Sequence, residues 1–111
     1  MSLRNEILGT YRSRLDIIAD ILDVASRDAK KTQIMYQANL SYSVMQRYLA
    51  EIVSAELIAF EDEKQHYSLT RKGREFLDAY EKYSKTSKNI EKKLDDVASK
   101  KKALEELCSD E

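Results

Sequence analysis

From Thr70 to Cys108 the chain carries one long helical pattern whose apolar face is very narrow. Positions 76, 80, 83, 87, 90, 94, 97, 101, 104 and 108 alternate steps of four and three, and hold Phe76, Tyr80, Tyr83, Ser87, Ile90, Leu94, Val97, Lys101, Leu104 and Cys108. Eight of these ten are apolar or aromatic, the pattern of a coiled-coil seam. Beyond Tyr83 the flanking positions are nearly all Lys, Glu, Asp and Ser. A globular core cannot hold so slim a stripe, so the helix needs a partner helix, and the simplest partner is a second copy of the chain. Ser87 loosens the seam, and Lys101 either snorkels or fixes register at some cost in stability. Proline is absent and the two glycines are Gly9 and Gly73. Nothing therefore breaks a helix of about 38 residues here.

The preceding segment changes period twice. In "RSRLDIIADILDVASR" the residues Leu15, Ile18, Ala19, Leu22 and Ala25 keep one helical face. Ile17, Ile21 and Val24 widen it, so this helix is expected to be covered on two sides. Ser13 suits the N-cap, with Asp16 in the capping-box position. A short helix over Thr32–Gln37 would turn Ile34, Met35 and Ala38 inward. After Asn39-Leu40, Ser41 can cap a third helix, in which Met45, Tyr48, Leu49, Ile52 and Val53 repeat as a core-facing stripe. "LIAFEDEKQHYSLT" then reads as two short strands, Leu57–Glu61 and His66–Leu69, joined by Asp62–Gln65 without the usual turn glycine. Thr70 can cap the long helix.

The expected fold class is mainly α (α+β): a winged helix-turn-helix with a two-stranded wing, followed by a long C-terminal coiled-coil helix. Residues 1–11 read as an N-terminal arm, 12–70 as the winged head and 71–111 as the dimerisation helix.

Composition bears mainly on what the chain does not do. Acids and bases nearly cancel, at a formal net charge of -1, so any attraction to nucleic acid must come from local patches. His66 is the sole histidine and Cys108 the sole cysteine, which argues against a metal site and excludes an internal disulfide. No nucleophile–base pairing and no glycine-rich phosphate loop is present. An enzyme, a cofactor and a small-molecule ligand are therefore not expected. No run of 18 apolar residues and no signal-like start occurs, so a soluble cytoplasmic, nucleoid-associated protein is expected.

The segments "KKTQIMYQANLSYSVMQRYLAEIVSAELI" and "YSLTRKGREFLDAY" resemble the archaeal winged-helix regulators. Among these they are most similar to the small ten-kilodalton DNA-binding type that dimerises through a C-terminal antiparallel coiled coil. The likeness covers residues 12–83, and the tail extends it by architecture. It implies double-stranded DNA as partner, a homodimer, and a transcriptional or chromatin role. The residues are compatible with that. Ser41, Tyr42, Ser43, Gln46 and Arg47 lie outside the stripe of the third helix, in the half that enters the major groove in such proteins. Arg47 and Gln46 can pair with base edges, while Lys31, Ser41, Ser43 and Tyr42 suit phosphates, and Thr32 joins them as a DNA-binding candidate. Tyr36 fits either a phosphate ligand or the rim of the core. Arg12 and Arg14 add charge beside the first helix, as do Arg71, Lys72 and Arg74 past the wing. The dimer seam would be Phe76, Tyr80, Tyr83, Ile90, Leu94, Val97 and Leu104.

Two departures from the family stand out. Glu56 sits where these proteins usually place a helix-ending glycine, so a 3₁₀ or strained end is expected there. The wing carries Glu61, Asp62 and Glu63 against Lys64, which phosphates would repel. A protein-interaction winged helix and a non-specific architectural chromatin protein are the alternative readings.

Overall fold

The computed structural model describes residues 12–109; the expected arm at 1–11 lies outside the described residues. Residues Arg12–Glu81 form one compact unit, and the chain from Lys82 onward belongs to a second.

The first unit has the element order α1 (Arg14–Ala25), α2 (Lys31–Gln37), α3 (Tyr42–Ser54), β1 (Ile58–Glu61), β2 (His66–Leu69) and the start of α4 (Arg71–Leu107). Local chemistry sets these boundaries. Ser13 Oγ accepts from the Asp16 amide at 3.2 Å while the Ser13 amide donates to the Asp16 carboxylate at 3.0 Å, a complete capping box. Ser41 Oγ accepts from the Val44 amide at 3.3 Å and so opens α3. Thr70 Oγ1 accepts from the Gly73 amide at 2.9 Å and so opens α4.

β1 and β2 pair antiparallel, with Ile58 opposite Leu69 and Glu61 opposite His66. The turn between them manages without glycine because Gln65 takes the left-handed conformation, at φ 54°. Its side-chain amide also donates to the Asp62 carbonyl oxygen at 2.7 Å. Ahead of α2, Ala29 exchanges two backbone hydrogen bonds with Tyr67, of 3.0 and 2.8 Å, which adds a one-residue third strand. The expected winged helix with a two-stranded wing is the observed fold.

The core draws on each element. Ile21 and Leu22 from α1, Ile34 from α2, Met45 and Ile52 from α3 and Ile58 from β1 are fully buried. Each such side chain contributes roughly 1.5–3 kcal/mol relative to exposure. Phe76 and Leu77 of α4 pack on this core half-buried. Several positions depart from the expected stripes. Val53, expected inward, is 38% exposed because it falls at the margin of the stripe, where it lines an open groove with Ile58, Phe60 and Arg71. Leu15 is likewise exposed and Met35 half-buried. Leu57 precedes the ladder; its amide bonds back to the Ile52 carbonyl oxygen at 3.1 Å.

That bond belongs to the end of α3. Glu56 has φ 64°, its amide donates to the Val53 carbonyl at 2.9 Å, and Leu57 reaches Ile52. Together they make a Schellman end with glutamate in the left-handed position. Of the two expected ends, 3₁₀ or strained, the strained one is observed: a non-glycine residue in the left-handed region. The Thr70 hydroxyl lies 2.6 and 3.0 Å from the Glu56 and Leu57 carbonyl oxygens, which ties the same turn to the start of α4. Gly73 allows that closeness: a Cβ there would sit 2.1 Å from the Leu57 carbonyl oxygen and 2.6 Å from Leu69 Cδ1.

Two substitutions at this junction therefore move stability in opposite senses. Glu56→Gly relieves a left-handed non-glycine residue, and the gain, after the added freedom of the unfolded chain, is about 0.5–1 kcal/mol. Gly73→Ala, favourable in an ordinary helix, here costs roughly 1–3 kcal/mol through overpacking against backbone. Urea unfolding followed by circular dichroism reads both.

Candidate nucleic-acid interface

α2 and α3 are joined by Asn39-Leu40-Ser41, and each residue has one task. Asn39 adopts φ 56°; its amide donates to the Tyr36 carbonyl at 3.2 Å and the Leu40 amide to the Met35 carbonyl at 2.9 Å. This is a second Schellman end, with asparagine as the left-handed residue. Half-buried Leu40 then packs against the core, and Ser41 caps the next helix. One turn thus ends α2 and starts α3 with no residue spare.

Arg12 holds that turn from outside. Its guanidinium donates to the Ala38 carbonyl at 2.7 Å, to the Asn39 carbonyl at 2.8 Å and to the Asp20 carboxylate at 2.7 Å. A cation at the C-terminal carbonyls of a helix is favoured by the helix dipole. Arg12 is thus a structural clamp rather than a free surface charge. Arg14 is also engaged, in an ion pair with Glu51 of α3. Arg27 lies 3.4 Å from both the Asp23 carboxylate and Gln37 Oε1. Past the wing, Lys72 Nζ donates to the Ala55 carbonyl at the end of α3, at 2.9 Å.

α3 buries Met45, Tyr48, Leu49 and Ile52. At 100° per residue the opposite face holds Ser43, Arg47 and Ala50, with Gln46 on one flank and Glu51 on the other. Ser43, Gln46, Arg47 and Ala50 are exposed. Arg47 lies over the Tyr48 ring, 5.6 Å from its centre, a cation–π contact with a buried residue that limits where the guanidinium points. Of the predicted contacts, Thr32, Ser41 and Tyr42 are exposed as well, and Lys31 is half-buried. Ser41 Oγ accepts at the cap through one lone pair, and its hydroxyl proton remains to donate. Tyr36 is 77% exposed and points away from Ile34 and Ala38, so it is not part of the core rim. The wing acids Glu61, Asp62 and Glu63 are exposed at the hairpin tip.

Two aromatic residues expected on the seam are engaged by the first unit. Phe76 packs against its core, and the Tyr80 hydroxyl donates to the Asp16 carboxylate. Tyr83, Ile90, Leu94, Val97 and Leu104, in the second unit, are each more than half exposed. Sequence reasoning missed the roles of Arg12 and Asp16 across the fold. Partial burial pushes the Asp16 carboxyl up, but the Tyr80 hydroxyl, the Ser13 amide and hydroxyl and the Arg12 charge outweigh it, leaving the pKa below the usual value. Among the described residues no cluster of metal-ligating side chains occurs, and no helix is long and apolar enough to cross a membrane.

The model of the winged helix-turn-helix family matches residues 11–88. The chain belongs to the winged helix-turn-helix family. Among solved structures it is similar to Sso10a-2, described as a DNA-binding protein from Sulfolobus solfataricus. The identity is 25%, the TM-score is 0.66, and the match covers 90% of this chain and all of that one. ZitR of Lactococcus lactis in complex with DNA is a more distant match, at 14% identity and TM-score 0.49, over 97% of this chain and 92% of that one. No curated protein sequence matches. In this winged helix-turn-helix the pair α2–α3 is the helix-turn-helix and β1–β2 the wing.

Because its folded-state pKa is lowered, Asp16 contributes stability that is present above the ordinary carboxylate range and is lost as pH falls through the folded value. Tyr80→Phe removes one of the groups that lower it. The variant is expected to be less stable at neutral pH and to show a shallower loss on acidification, as read by thermal unfolding across a pH series.

Proposed function

We propose that this chain is a homodimeric duplex-DNA-binding protein, acting as a transcriptional regulator of the archaeal winged-helix type, with α3 lying in the major groove. The observation that carries this reading is the unequal use of the four arginines between Arg12 and the end of α3. Arg12, Arg14 and Arg27 are each paired with a carboxylate, while Arg47 has no carboxylate partner among the described residues and rests on a buried ring. A guanidinium left unneutralised on the outer face of a recognition helix suits the O6/N7 edge of guanine. Gln46 beside it suits adenine. Lys31, Thr32, Ser41, Tyr42 and Ser43 would hold phosphates and set the register.

The tail supports the dimer. Ile90, Leu94, Val97 and Leu104 are exposed on one seam, and burying such a seam against a second helix is what a coiled coil does. Its charges also favour one orientation. Residues 82–93 hold five lysines and one acid, whereas residues 94–111 hold three lysines and six acids. Antiparallel pairing sets the basic half of each helix against the acidic half of its twin; parallel pairing sets like against like.

A second reading, a protein-docking winged helix, is favoured by the exposed acids at the wing tip. DNA titration decides between them. Sequences are first selected from random duplex, and the best is then titrated at several salt concentrations. The regulator reading expects a preferred site bound at least about a thousandfold more tightly than random duplex, with a negative salt slope. It also expects Arg47→Ala to cost roughly 1–3 kcal/mol on that site. A coating protein would show no preferred site, and a docking module no affinity even at low salt.

A further inference from the structure

The lysines of the tail are ordered around the helix as well as along it. Lys85, Lys88 and Lys92 follow i, i+3, i+7 and so share one face. At 100° per residue that face lies opposite the seam positions Tyr83, Ile90, Leu94 and Val97. All three lysines are exposed, and among the described residues none has a carboxylate within ion-pair distance, whereas Lys100 of the same helix pairs with Asp96 at 2.7 Å. Like charges three and four residues apart weaken a helix; Glu81, Asp95 and Asp96 stand three or four residues off the two ends of the stripe, but among the described residues none of them forms an ion pair with it. A second tail paired antiparallel brings its acidic half alongside only at long range: its side chains flank the opposite face and do not reach these lysines.

The anion that fits must be extended. Lys85 and Lys92 are about 10 Å apart along the axis at 1.5 Å per residue, beyond the reach of one phosphate group. Duplex DNA presents one charge per about 1.7 Å of its axis, so three lysines over that span meet a continuous row of partners. Lysine, a flexible point charge, suits phosphate contact without base readout.

We propose that Lys85, Lys88 and Lys92 form a second, sequence-independent contact with the phosphodiester backbone of duplex DNA. This rests on the reading that the winged unit binds duplex DNA. It makes the tail part of the binding surface in addition to its role in pairing, and it supplies affinity that the near-zero net charge does not.

The test uses the full chain and a mixed-sequence duplex, with binding followed between about 50 and 200 mM salt. The triple variant K85Q/K88Q/K92Q is compared with the wild type and with K93Q/K100Q/K102Q, which removes the same charge elsewhere on the tail and leaves the seam positions intact. Circular dichroism and sedimentation confirm that all three keep the same helix content and mass. The stripe variant is expected to lose about 2–3 units of salt slope, whereas the control variant keeps the wild-type slope. Equal losses in the two variants would mean net charge alone and would overturn the proposal. So would an unchanged slope in the stripe variant; if Arg47→Ala still weakened binding to its selected site, the reading of the winged unit would survive. Absence of wild-type binding at the lowest salt would remove both.

Discussion

The direction in which α3 points is set by the grip of Arg12 on the end of α2. A helix end leaves carbonyl groups without partners, and a turn as short as Asn39-Leu40-Ser41 has no further backbone amides to give them. Arg12, from 26 and 27 residues away in sequence, supplies donors to the Ala38 and Asn39 carbonyls, and Asp20 balances its charge. The side chains of the Arg12–Asp20 pair are 26% and 47% exposed, so the ion pair is partly screened. The geometric consequence is larger than the electrostatic one: α1, the end of α2 and the left-handed Asn39 are joined at one point. The Arg14–Glu51 pair fastens α3 to α1 on one flank. With its inner stripe buried and that flank tied down, α3 has one face left for solvent.

This arrangement separates cations that hold the fold from cations that remain available. The chain is close to neutral overall, yet its charges are not evenly spent. Those near the helix ends serve carbonyls and carboxylates: Arg12 at the end of α2, and Lys72 at the end of α3. Among the described residues Arg47 and the tail lysines Lys85, Lys88 and Lys92 serve none. A protein of low net charge can hold a polyanion in this way, because affinity follows the local unneutralised charges rather than the sum over the chain. The acidic wing fits the same division, since Glu61, Asp62 and Glu63 are exposed at the hairpin tip and paired with none of the arginines that hold the fold.

Much of the fold was legible because it rests on local rules. Hydrophobic period marked the four helices and two strands of the described residues, and the caps at Ser13, Ser41 and Thr70 were readable from residue type alone. The Arg12 clamp was not, because a long flexible side chain reaching across the fold leaves no periodic trace. Phe76 and Tyr80 were legible as apolar positions but not as contacts of the winged unit: one heptad register runs through both units, and a register says which face is covered, not what covers it. Glu56 was legible as an exception, yet its outcome depended on the Schellman bonds and the Thr70 hydroxyl holding a left-handed glutamate. Of the candidate site, the exposure of Ser43, Gln46 and Arg47 followed from the α3 stripe. The pairing that leaves Arg47 unneutralised needed coordinates, because it depends on which carboxylates the other arginines reach.

The central claim is that the outer face of α3 meets the nucleic acid. The most direct measurement is residue-resolved: backbone amide shifts of the isotope-labelled full chain, followed while duplex DNA is titrated in. The account predicts that the largest changes fall on residues 41–47 together with Lys31 and Thr32, while the buried core around Ile21 and Ile52 stays still. Changes confined to the wing or to the groove lined by Val53 and Phe60, with α3 silent, would contradict it.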